Sequence, residues 1–124
     1  QTVDKVSRVK DIPIKLDWAL SEKVGPEKAN GLTWPSYEEQ YKVHELFSID
    51  DTYSPNADID YINSYNESLD SFITRVDTFC QYLETQKDKN ILVVSHQSIT
   101  DRIIQRLAKI EHQLEMGECY EIDL

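Results

Sequence analysis

Residues 91–94 of this chain read Ile-Leu-Val-Val, and Ser95 and His96 follow at once. A run this apolar, bounded by Asn90 before it and a helical pattern after it, fits a strand buried on both faces. Such a strand needs a neighbour along each edge, because unpaired backbone donors and acceptors held away from water are costly. That requirement restricts the fold more than any other stretch of the sequence does.

The flanking patterns supply helices. Leu69, Phe72, Ile73, Val76, Phe79, Cys80 and Leu83 recur at the three- and four-residue spacing of a core-facing stripe, predicting a helix over about 67–87 with Asn66 or Ser68 as its cap. Ile99, Ile103, Ile104, Leu107 and Ile110 predict a second helix over 98–110. Val3, Val6 and Val9 suggest the end of a helix over 1–10, and "IPIKLD" (12–17) alternates as a short strand would, with Pro13 tolerable near its start. After Gly117, "CYEIDL" reads as a last strand with Cys119, Ile122 and Leu124 partly buried.

Residues 18–66 are loop-rich, with turn signals at Gly25-Pro26 and Asn30-Gly31 and one short helix expected over 36–46. The order helix, strand, loop region, helix, strand, helix, strand predicts an α/β fold: three layers, with a mostly parallel sheet between helices on both faces. Only three strands are legible, and one carries a proline, so the sheet is expected to be incomplete within these residues.

Net charge narrows the partners. A formal charge of −10 argues against nucleic acid and anionic membrane surfaces. No apolar run approaches the roughly 20 residues that span a bilayer, and no charged-then-apolar leader is present. Cys80 and Cys119 lie in apolar patterns without CxxC or Cys/His metal spacing, which predicts free buried thiols and a cytoplasmic or nuclear setting; no cofactor is expected.

In open α/β sheets ligands bind beyond the carboxyl ends of the strands, where His96 stands, and Glu22 lies just past the strand at 12–17. Ser95 and Gln97 flank His96 and are the accompanying candidates for substrate contact. His44 in "YKVHELF" and His112 in "IEHQLE" suit helix-face and capping or surface roles. Arg102 and Arg106, one turn apart, are expected to be solvated.

These residues resemble a known family. "NILVVSHQSITDRIIQRL" is similar to the C-terminal strand, histidine and helix of the histidine phosphatase superfamily, the phosphoglycerate mutase-like fold. "QTVDKVSRVKDIPIKLDWALSE" resembles that family's stretch from helix through strand to an acidic residue. "IDDTYSP" and "SYNESLDSFITRV" resemble the branch containing the suppressor of T-cell receptor signalling phosphatases, and "MGECYEIDL" a family-like last strand. The resemblance implies metal-free phosphoryl transfer. A histidine in an Arg-His-Gly motif attacks phosphorus, arginines and a second histidine hold the phosphoryl oxygens, and an acidic residue protonates the leaving oxygen. His96 matches the second histidine and Glu22 the acid.

No Arg-His-Gly occurs among these 124 residues, and Gln97 stands where the family usually has a small residue. The resemblance therefore implies the C-terminal portion of one histidine phosphatase-like domain, completed by a segment that supplies the nucleophile. It would act on a phosphorylated small molecule or a phosphoprotein, and homodimers are common in such families. The alternative is a catalytically inactive phosphatase-like interaction or scaffold module.

Overall fold

The computed structural model describes residues 4–22, 50, 52 and 67–124. The loop region over 23–49, its helix at 36–46 and His44 lie outside the described residues, as do most of "IDDTYSP" and the first residues of "SYNESLDSFITRV".

Three α-helices and one 3-10 turn organise what is described. Helix α1 spans Asp4–Lys10. It ends where Asp11 turns left-handed (φ 52°) and the Ile12 amide reaches back to the Ser7 carbonyl at 3.1 Å. That six-to-one bond is the closure of a Schellman motif, with an aspartate in the position that glycine most often fills. The 3-10 turn Trp18–Leu20 is capped by Asp17, whose carboxylate accepts from the Ala19 amide at 2.8 Å.

Helix α2, Leu69–Glu84, forms because its apolar stripe is uninterrupted by Gly or Pro and Ser68 caps it, the hydroxyl accepting from the Ser71 amide at 3.2 Å. Phe72, Val76, Phe79, Cys80 and Leu83 on that stripe are buried, while Leu69 stays 59% exposed. Helix α3, Gln97–Ala108, buries Ile99, Ile103 and Ile104 and ends where Lys109 turns left-handed. These two helices and Ala19 of the turn share one hydrophobic cluster, with Leu20, Ile73, Tyr82, Val93, Leu107 and Ile122 packed against it.

Charged pairs cross the α2–α3 seam. Arg102 grips Asp77 bidentately at 2.7 Å, and Arg106 meets Glu84 at 3.5 Å. Both arginines were expected to be solvated; the seam instead supplies each with a carboxylate from the facing helix.

The expected three-layer parallel sheet is not found. The described residues form helices and no strand. Residues 91–95 run outside regular structure, with Ile91 44%, Leu92 63% and Val94 40% exposed and only Val93 packed inward. The physical reason is pairing. A strand exists through its edge bonds, and neither of the two segments read as sheet partners, 12–17 and 119–124, pairs with 91–94 among the described residues. The one ladder-like bond at Ile14 goes to the Asp50 amide at 2.8 Å. What was read as a two-sided strand is a connector that enters α3, and the described core is helix on helix.

Cysteine environments differ sharply. Cys80 is fully buried, whereas Cys119 is exposed rather than partly buried as its pattern suggested. Burial, reinforced by the nearby Asp77 carboxylate, pushes the Cys80 thiol up from 9.0 to about 11. Native protein treated with an aromatic disulfide at pH 8 is expected to release one equivalent per described chain promptly, from Cys119, with Cys80 reacting only on unfolding. The same shift has a consequence for stability. Above pH 9 the unfolded chain loses the Cys80 proton while the folded chain keeps it, so the folded state binds more protons and stability falls as pH rises from about 9 to about 11.

Candidate functional site

The 3-10 turn and the entry to α3 meet, and they carry the two residues singled out from sequence. His96 is the N-cap of α3, with extended backbone (φ −84°, ψ 156°), and its carbonyl accepts the Ile99 and Thr100 amides at 3.0 Å each. Its side chain makes no capping bond, which leaves the imidazole available at the positive end of the helix. Glu22 follows the turn directly. Its Oε2 lies 3.7 Å from His96 Nδ1, with 50% of the glutamate and 56% of the histidine side chain exposed. That separation is beyond a hydrogen bond. Both side chains stay open to solvent at this separation.

Ser95 fixes this proximity from one side. Its hydroxyl donates to the Leu20 carbonyl at 2.6 Å, joining the residue before His96 to the turn before Glu22. Gln97 is drawn elsewhere, its carboxamide donating to the Leu114 carbonyl at 2.9 Å. The structure thus brings His96, Glu22 and Ser95 together and commits the Gln97 amide to the C-terminal segment. His112 stands apart in role: Nε2 is 3.3 Å from Glu118 Oε1, and its ring lies 5.1 Å from that of Tyr120. The Glu118 carboxyl is held below the usual carboxylate range, first by the Glu115 amide and then by His112.

Arg75 is the residue that sequence reading did not assign. It is 8% exposed and sits on the apolar stripe of α2 between Phe72 and Val76. Its Nη1 donates to the carbonyls of Ala19 at 2.6 Å and Ser21 at 3.0 Å, with Trp18 further off at 3.4 Å. Nε and Nη2 fork onto Glu67 at 2.8 and 2.7 Å. The signal was present in the sequence: an arginine on a core-facing stripe must bring its partners inside with it.

Chemically, an imidazole N–H donor and a carboxyl group exposed side by side can stabilise charge on an oxygen and deliver a proton to its neighbour. Among the described residues no three His, Cys, Asp or Glu side chains cluster as a metal site, and no helix is long and apolar enough to cross a membrane.

No curated protein and no solved structure matches the chain. The family model described as histidine phosphatase superfamily (branch 1) does match, over residues 1–122, from α1 through the turn, Glu22, α2 and His96 to the segment after α3. With nearly its whole length matched, the chain belongs to branch 1 of the histidine phosphatase superfamily.

Proposed function

We propose that these residues carry the acid and one phosphoryl-binding group of a metal-independent phosphomonoester hydrolase, as the C-terminal portion of one histidine phosphatase-like domain. The observation that carries the reading is the 3.7 Å approach of Glu22 Oε2 to His96 Nδ1, with both side chains about half exposed. His96 donates to an equatorial phosphoryl oxygen as negative charge builds on it. Glu22 gives its proton to the leaving oxygen as the P–O bond breaks.

The nucleophilic histidine that takes the phosphoryl group is assigned to a segment outside these 124 residues, because the family's Arg-His-Gly motif does not occur within them. Water then cleaves the phosphohistidine, with the Glu22 carboxylate accepting its proton. Ser95 joins the residue before His96 to the turn before Glu22 through Leu20, and Gln97 follows His96 as the first residue of α3.

The substrate is a phosphorylated small molecule or a phosphoprotein, and the acidic "SIDDTYSPNADIDY" segment disfavours highly anionic ones. The chain resembles the suppressor of T-cell receptor signalling branch on "IDDTYSP" and "SYNESLDSFITRV". Two free thiols agree with a reducing, cytoplasmic setting, and a homodimer follows the habit of such families.

The test is leaving-group dependence in the native protein. Glu22→Gln is expected to lose roughly 100-fold or more on an alkyl phosphate, the lower end of general-acid contributions, and far less on p-nitrophenyl phosphate, whose leaving group needs no proton. Equal losses on both would remove Glu22 from the acid role. If the native protein hydrolyses no phosphomonoester, the inactive interaction module becomes the reading.

A further inference from the structure

The Glu22–His96 pair is about half exposed on both sides. Ion pairs in that setting are too weak and too screened to hold their own geometry. Their separation must therefore be set by the backbone that carries them, and the turn ahead of Glu22 has two anchors. One is the Ser95 hydroxyl on Leu20. The other is Arg75.

We propose that Arg75, charge-balanced by Glu67, is a positioning residue for Glu22. This inference rests on the assignment of Glu22 as the acid. The guanidinium contributes both Nη1 protons to the turn and spends Nε–H and one Nη2–H on the Glu67 carboxylate. The Ser21 carbonyl that it holds belongs to the peptide plane shared with Glu22, so the grip acts directly on the backbone from which the acid projects.

A brace serving helix α2 alone would need only the Glu67 pair. Reaching 54 to 57 residues along the chain to carbonyls on each side of Leu20 serves the turn instead. The planar fork matters as well, because its donors diverge in one plane toward a carboxylate and two carbonyls. A lysine ammonium at the same place offers a single point of charge and cannot span both. Loss of the grip lets the turn relax, and displacements of about 1 Å at a reacting group can cost on the order of 100-fold in rate.

The experiment compares Arg75→Lys and Glu67→Gln with Glu22→Gln in the native protein, each assayed on an alkyl phosphate and on p-nitrophenyl phosphate. Arg75→Lys is expected to lose about ten times more kcat on the alkyl ester than on the aryl ester, in the same sense as Glu22→Gln, with KM little changed. Glu67→Gln keeps the guanidinium and should show a smaller selective loss; it carries the test if Arg75→Lys does not fold.

A purely structural role would reduce the active fraction and so lower both substrates alike. Selective loss in Glu22→Gln but uniform loss in Arg75→Lys and Glu67→Gln overturns the positioning role and leaves the acid intact. Uniform loss in Glu22→Gln, or no hydrolysis by the unaltered protein, overturns the acid assignment and this inference with it.

Discussion

Arg75→Ala is expected to lower the unfolding free energy by about 3–5 kcal/mol, the cost of removing one partner of a buried ion pair. Glu67 would remain with its side chain only 10% exposed and no cation on it, and the carbonyls of Ala19 and Ser21 would lose the donor that reaches them. Urea unfolding checks this as a fall in midpoint at unchanged slope. Arg106→Ala is the internal comparison. Its pair with Glu84 is 3.5 Å long and its side chain 33% exposed, so its loss should cost at most about 1 kcal/mol. Equal small effects from both substitutions would mean that the Arg75 cluster gains nothing from burial and would weaken the account of how the turn is held.

His96→Ala should do the reverse, with little effect on folding and a large one on rate. The side chain is 56% exposed and takes no part in capping α3, so stability should stay within about 0.5 kcal/mol. Removing one donor aimed at developing oxyanion charge typically costs roughly 100- to 1000-fold in kcat. Because that charge develops whatever the leaving group, the loss should be similar for aryl and alkyl phosphates, in contrast to Glu22→Gln. Parallel measurement of unfolding and of steady-state kinetics separates the two effects. A stability loss matching the activity loss would make His96 a structural residue at a helix start.

The site residues and the helices were legible to different degrees, for physical reasons. Both long helices could be read because an apolar stripe at 3.6-residue spacing has one interpretation when Ser68 caps it and no glycine or proline interrupts it. The sheet was misread because a continuous run such as Ile91 to Val94 reports hydrophobicity and not pairing. Strand partners are long-range, and nothing local in 91–94 specifies them.

Glu22 and His96, 74 positions apart in sequence numbering, were singled out past the ends of two expected strands and matched to roles by resemblance, and the approach of their side chains emerges only once Ser95 and Arg75 fasten the turn. Arg75 itself could have been found from its place among Phe72, Val76 and Phe79. Its partners on the turn could not, since backbone carbonyls carry no side-chain signal. The pairing of Arg102 with Asp77 was hidden for a different reason, being fixed by how α3 lies on α2.

The central claim is that His96, beside Glu22, binds a phosphoryl group, and the most direct measurement is a titration of the native protein with inorganic phosphate followed by NMR of the histidine rings. The account predicts saturable shifts of the His96 ring and of the Ser95–Gln97 amides, abolished in His96→Ala, with His112 beside Glu118 unmoved. Shifts centred on His112, or none at His96 at saturating phosphate, would contradict it.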